Sequence, residues 1–246
     1  MRHLRGVLVA APAIVLATIF FGTLSLIASF FDRTGTVQMR VARAWARTLL
    51  AVSGVHAHVE GLEQVDPSRP YVFISNHLSY MDTPLALAQI PAQFRFLAKR
   101  GLFQIPFLGT HLSRAGHIPV LRQDPRASVK TMQVAAETIQ RNKVSLLIFP
   151  EGGRSHDGVL GPFKEGGAYI AIRAGVPVVP LVMLGTRQVL PYGSGVVLPG
   201  SVTLKILPPI ETAQMTLKNR GALTNQVREL ILSQLEPARE SAAINR

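Results

Sequence analysis

Residues 144–155 read VSLLIFPEGGRS. Apart from Ser145, the first six positions are apolar on both alternating sides, so a strand here would have no solvent face. Such a strand belongs inside a sheet covered by helices on two sides, the arrangement of an α/β domain with a largely parallel sheet. The Pro-Glu-Gly-Gly that follows stops it. Gly152 and Gly153 let backbone N–H groups come close to an anion, with Glu151 beside them, and Arg154 offers a two-pronged donor for phosphate. A tight turn with a solvent-facing arginine accounts for the same letters.

The pattern repeats on both sides of this stretch. Further strands are predicted at YVFIS (71–75), FRFLA (94–98), HIPVL (117–121), VPVVPLVML (176–184) and VTLKIL (202–207). Helices are predicted over 84–90, 107–114, 125–141, 163–174 and 220–235. Thr83-Pro84 and Asp124-Pro125 read as N-caps followed by a first-turn proline, and Gly175 before Pro177 reads as a helix stop. The reading is one α/β domain, a mostly parallel mixed sheet flanked by helices, preceded by membrane-associated N-terminal helices.

Those N-terminal helices follow from the run 6–31, which carries no charge over 26 residues. As a helix it would reach roughly 39 Å, more than the ~30 Å of a bilayer core, so it must tilt, bend at Pro12 or lie partly in the interface. A cleaved signal peptide would have a shorter apolar region and a small-residue cleavage site. The stretch 37–53 alternates arginines (Arg40, Arg43, Arg47) with Val37, Val41, Trp45, Leu49 and Val52. It suits a helix in the headgroup layer, or equally one packed on the domain with a solvated arginine stripe. The expected division is therefore an anchor over 1–58 and a catalytic domain over 59–246. More arginines follow the apolar run than precede it, which favours a cell (inner) membrane protein with its bulk on the cytoplasmic face.

The chain has 246 residues, 26 Lys and Arg against 14 Asp and Glu, and a net charge of +12. That balance favours phosphate-bearing partners or membrane surfaces. With no cysteine, disulfides, thiolate metal sites and a cysteine nucleophile are excluded. The sequence lacks GxSxG, HExxH and GxGxxG, and GPFKEGG (161–167) lacks the Lys-Ser/Thr of a phosphate loop. His56 and His58 have no acidic or thiol companions and read as surface histidines, so no metal site is expected.

His77 and Asp82, in NHLSYMD (76–82), stand out by position. On one helix they would point about 140° apart, but here a strand ends near Ser75 and a helix begins near Thr83. A turn can fold the carboxylate onto one ring nitrogen, leaving the other free to take a proton from a hydroxyl. The end of a strand is also where α/β sheets place ligands. Arg95, Lys99, Arg100, Arg114, Arg122 and Arg126 add positive charge over 93–126, with Arg122 at another strand end.

In order and spacing, NHLSYMD, AKRGLFQIPFLG (98–109), AGHIPVLRQD (115–124), FPEGGRS and VPVVPLVMLG (176–185) resemble the motif blocks of the glycerolipid acyltransferases, most of all the 1-acylglycerol-3-phosphate (lysophosphatidate) acyltransferases. The resemblance covers about 60–215. It implies that His77 is the general base and Asp82 its orienter. It also implies that Asn76, Lys99, Arg122, Glu151, Gly152, Gly153 and Arg154 bind substrate, and that 178–180 help line a lipid pocket. Two departures fall on the acceptor side: Gly153 where the family usually has Thr, and Gly101 where it usually has Glu.

The implied reaction moves a fatty acyl group from acyl-CoA or acyl carrier protein to the sn-2 hydroxyl of lysophosphatidate, giving phosphatidate. The thioester is a substrate, no cofactor is expected, and the partners are membrane lipids rather than nucleic acid. Two readings stand beside it: another lyso-acceptor such as a lyso-aminolipid, and a non-catalytic module that binds anionic lipid through its charge.

Overall fold

The computed structural model describes residues 2–120 and 125–244. Seven strands form one sheet: β1 (Val55–Glu60), β2 (Val72–Ser75), β3 (Phe94–Lys99), β4 (Ile118–Val120), β5 (Ser145–Ile148), β6 (Val178–Leu184) and β7 (Gly200–Ile206). Their order is β1-β7-β6-β2-β5-β3-β4. All neighbours are parallel except β6 and β7. The α/β reading and the mostly parallel mixed sheet are what the structure contains.

The lack of a polar face on the central strands has a direct cause. On β2 and the residue before it, Tyr71 and Phe73 enter one apolar core, with α3 (Thr36–Ser53) and α4 (Asp82–Gln89). Val72 and Ile74 enter the other, with α6 (Pro125–Asn142), α7 (Gly166–Ala174) and α9 (Arg220–Ile244). Phe73, Phe94, Leu146 and Leu147 are fully buried, and each such side chain contributes about 1.5–3 kcal/mol by leaving water. The α7 helix begins at Gly166 rather than 163, because Lys164 N–H first donates to the Pro150 carbonyl (3.1 Å) in the loop after β5. Gly167 lets α7 lie close on β2: a β-carbon there would come within 2.8 Å of the Ile74 side chain.

The first strand, β1, was not among the predicted ones. It is an edge strand, paired only with β7, and it turns His56, His58 and Glu60 outward. That exposure explains the two surface histidines and hides the strand's signal. The boundary expected between 58 and 59 falls inside it, so the N-terminal segment and the rest of the chain share one sheet.

From Arg2 to Phe31 the chain is helical: α1 (Arg2–Arg5), a π-helical turn (Gly6–Ala10) and α2 (Ala11–Phe31). The wide turn ends where Ala11 donates to Gly6, just before Pro12, which has no N–H to donate. Among the described residues this is the one helix long and apolar enough to cross a membrane, and 6% of its most apolar window is buried. Asp32 then turns the chain. Hydrogen bonds from the Thr34 hydroxyl and the Val37 N–H hold its carboxyl down at about 2. Helix α3 buries Met39, Ala46, Leu49 and Leu50 in the core. The arginine stripe is not uniformly solvated: Arg43 reaches past α4 to the carbonyls of Ile90 and Ala92 (2.8 and 2.6 Å), whereas Arg40 and Arg47 are exposed.

Two short helices complete the chain's elements near the site, α5 (Leu108–Arg114) and α8 (Thr186–Val189).

Candidate active site

Asp82 opens α4, immediately after the turn that leaves β2. Its side chain folds back over that turn, and a single oxygen, Oδ2, receives three donors. These are the His77 ring Nδ1 at 2.7 Å and the N–H groups of Leu78 and Ser79 at 2.8 Å each. Asp82 is completely buried, and Oδ1 has no hydrogen-bond partner in the protein. A negative charge at the start of a helix, held by backbone N–H groups, suits the helix dipole. An ionised carboxylate only accepts, so His77 Nδ1 carries the hydrogen and Nε2 presents its lone pair. The His77 side chain is 16% exposed. A buried carboxylate that fixes the tautomer of a partly exposed imidazole is the arrangement of a general base.

The loop after β5 meets this turn because β5 and β2 are parallel neighbours ending on the same sheet edge. Phe149 stacks on the His77 ring, with centroids 4.1 Å apart and planes 15° from parallel. His77 N–H donates to Glu151 Oε1 (2.7 Å), and Ser155 N–H donates to the His77 carbonyl (2.9 Å). Glu151 Oε2 accepts from Gly161 N–H at 3.0 Å. Burial pushes the Glu151 carboxyl up, against the two N–H donors, which favour its charge. Glu151 thus clamps backbone and does not offer its carboxylate to a ligand.

The other expected site residues separate into two groups. Gly152 has φ +79°, and a β-carbon there would lie 3.1 Å from Lys164 Nζ. A β-carbon at Gly153 would meet nothing within 4 Å, so the hydroxyl missing at this position leaves open space. The Arg154 guanidinium lies between two rings, 3.5 Å from the Tyr80 centroid and 4.6 Å from that of Tyr192. Neither Arg154 nor Lys164 forms an ion pair among the described residues, so both are available to an anion. Lys99 is exposed at the end of β3, on the same sheet edge but one strand beyond β5. Arg122 lies outside the described residues.

Beside that for Glu151, two further expectations are corrected. Asn76 is fully buried and bonds both backbone groups of Met183 (3.0 and 2.8 Å). Its amide extends the β2–β6 pairing by one rung and faces no ligand. Val178 and Val179 are also fully buried, mid-sheet, and belong to the two apolar cores rather than to the cavity described below. Residues the sequence reading passed over take part instead. Tyr80 sits inside NHLSYMD, Lys164 lies in the discarded GPFKEGG, and Tyr192 comes from a stretch with no periodic signal.

An apolar cavity of about 390 Å³ reaches Thr83, next to Asp82 in the chain, without being lined by His77 or Asp82 themselves. It lies between α2 (Phe21, Gly22), α3 (Val41, Trp45), Phe96 of β3, the start of α5 and Thr83, the residue after Asp82. Among the described residues no cluster of three or more histidine or acidic side chains could hold a metal ion.

The Acyltransferase family model matches residues 56–184. The chloroplastic 1-acyl-sn-glycerol-3-phosphate acyltransferase BAT2 of Brassica napus is 39% identical over 174 residues, 69% of this chain and 49% of that one. The 1-acyl-sn-glycerol-3-phosphate acyltransferase of Saccharomyces cerevisiae is 30% identical over 248 residues, all of this chain and 81% of that one. The crystal structure of the 1-acyl-sn-glycerophosphate acyltransferase PlsC from Thermotoga maritima superposes with a TM-score of 0.82 at 28% identity, covering 97% of this chain and 98% of that one. The chain spans about half the length of the first plant relatives it matches, 49% and 53%. The HLSYMD turn and the FPEGGRS loop both fall within the matched residues, and the chain belongs to the acyltransferase family.

Proposed function

We propose that the protein transfers a fatty acyl group from a thioester, acyl-CoA or acyl carrier protein, to the sn-2 hydroxyl of 1-acylglycerol-3-phosphate, forming phosphatidate. The observation that carries this reading is the His77–Asp82 pair fastened to the Glu151 loop, with unpaired cations on one side and an apolar cavity on the other. In the reaction the acceptor hydroxyl oxygen bonds to the thioester carbonyl carbon while its proton passes to His77 Nε2. Asp82 stabilises the imidazolium so formed. The C–S bond then breaks, and the proton moves from Nε2 to the departing thiolate. Base catalysis of this kind contributes about 10²- to 10⁴-fold, and positioning of two lipids supplies much of the remainder.

In this reading Arg154, held between Tyr80 and Tyr192, and Lys164, near Gly152, would hold the acceptor's phosphate. Lys99 and Arg122 are carried in this reading as further phosphate contacts. The cavity takes an acyl chain, whose every buried methylene contributes about 0.8 kcal/mol. Helix α2 anchors the enzyme in the inner membrane with the sheet on the cytoplasmic side.

Purified protein supplied with labelled acyl-CoA or acyl carrier protein and a panel of lyso-acceptors tests the assignment. Phosphatidate should form from lysophosphatidate and vanish in His77→Ala. Equal turnover of acceptors lacking the phosphate would overturn the choice of acceptor, and unchanged turnover in His77→Ala would overturn the mechanism.

A further inference from the structure

The segment between β3 and α5 turns part of its apolar surface away from the cavity and into solvent. Leu102, Ile105, Phe107 and Leu108 are 38%, 47%, 73% and 40% exposed. Scattered exposed apolar residues are ordinary, but four within seven positions form a patch. The backbone that carries them is tightly built. Gly109 N–H donates to Ile105 and Leu108 N–H to Pro106, each at 2.7 Å. A β-carbon on Gly109 would come within 2.0 Å of the Phe103 carbonyl oxygen. At the apex Phe107 holds φ +62° and ψ −56°, a positive-φ γ-turn geometry that non-glycine residues rarely adopt. The turn therefore drives a large ring outward into what would otherwise be water.

This patch adjoins the apolar face of the N-terminal helix. His111 in α5 bonds Ser25 in α2 at 2.7 Å, and Arg114 bonds Ser29 at 3.1 Å while lying over the Phe30 ring. On the same helix Phe20, Leu24, Ile27, Phe30 and Phe31 are exposed. Pro106, Phe107 and Leu108 line the cavity opposite Phe21, Gly22 and Ser25 of α2. Lys99 and Arg100, both exposed, precede the patch, where anionic headgroups would meet them if the apolar residues lay just below.

We propose that residues 102–108 form a second membrane-inserting element, a short wedge that enters the leaflet contacted by α2 and sets the cavity's mouth against lipid. The proposal rests on the reading of α2 as a membrane anchor. Its occupant is a bilayer surface containing anionic lipid: the patch is continuous with α2 and flanked by cations, as an interfacial segment is.

The absence of cysteine makes one introduced thiol a unique labelling site. Full-length Ile105→Cys, Phe107→Cys, Phe20→Cys and Ser68→Cys would each carry a polarity-sensitive fluorophore. Each would be reconstituted in phosphatidylcholine–phosphatidylglycerol vesicles with and without lipids bearing a nitroxide near the headgroup. Ser68 precedes β2, on the sheet edge opposite the patch, and serves as the water-facing reference. Labels at 105 and 107 should shift to the blue and lose fluorescence to the nitroxide, as the label at 20 does, while that at 68 stays unquenched. Quenching at 20 without quenching at 105 and 107 would overturn the wedge and leave the anchor intact. No quenching at any position would overturn both. A blue shift at 105 and 107 that tracks protein concentration without nitroxide quenching would assign the patch to a second copy of the chain, and the proposal would fail.

Discussion

Replacing Asp82 with asparagine should remove charge from the site while keeping its shape. Three donors converge on Oδ2 and none on Oδ1. The N–H groups of Leu78 and Ser79 would therefore turn the asparagine carbonyl into the Oδ2 position and leave its NH₂ where Oδ1 already lacks a partner. The ring then keeps its Nδ1–H tautomer, and what disappears is the negative charge beside the developing imidazolium. A hydrogen bond to a charged group contributes about 1.5–3 kcal/mol, so kcat should fall about 10- to 100-fold with KM for the acceptor nearly unchanged. Asp82→Ala removes the orienter as well and leaves the buried Ser79 N–H and the part-buried Leu78 N–H unpaired. Its loss should approach that of His77→Ala, about 10²- to 10⁴-fold. The assay is steady-state phosphatidate formation by the wild type and three variants, each checked for an unchanged melting transition. Asp82→Asn as inactive as His77→Ala would refute the argument that backbone donors preserve the tautomer, and Asp82→Asn as active as wild type would refute a role for the charge.

Three further outcomes are expected. Glu151→Gln must turn its NH₂ toward the N–H of either His77 or Gly161, both of which now donate to the carboxylate; opposed donors cost about 1–3 kcal/mol, and both stability and kcat should drop, which melting and turnover together check. Arg154→Ala should raise the acceptor KM, and Arg154→Lys should restore little of it, because a lysine gives up the flat stack between Tyr80 and Tyr192; equal KM values for the two variants' parent and Arg154→Lys would count against the stacked fork. Burial, with His111 and Arg95 nearby, lowers His117 to about 3, while in the unfolded chain it titrates near its ordinary value of about 6.5. As pH falls the unfolded state takes the proton first, so this contribution is intact above about 6.5 and lost toward 3, with a slope approaching 1.4 kcal/mol per pH unit. His117→Asn, whose side-chain oxygen can accept the Phe96 N–H now bonded to Nδ1, should show a shallower loss of melting temperature between pH 7 and 5, and an identical loss would refute this.

The parts of the fold that could be read from the sequence are those where burial writes itself into residue type. β2, β5 and β6 touch a core on each face, so Val72 and Phe73 are both apolar and the strands look like continuous runs. β1 meets the same sheet from its edge, and VHAHVE reads as a polar stretch. His77 and Asp82 were legible because both lie in one turn between a predicted strand and a predicted helix. The Arg154 stack was not, since Tyr80 and Tyr192 are joined only by the folded chain. Asn76 shows the opposite error: its place beside His77 suggested contact with substrate, yet its amide serves the backbone of Met183. Arg43 errs in the same way, because a charge on a helix face gives no hint that two carbonyls wait within reach.

The pairing of β1 with β7 has a consequence for biosynthesis. β1 follows α1, α2 and α3 out of the ribosome, but its partner among the described residues is Gly200–Ile206. At ordinary elongation rates that delay is on the order of 10 s. One border of the sheet thus stays unzipped until β7 has emerged, and a chain arrested before Gly200 leaves β1 as an exposed strand template for another chain to pair with.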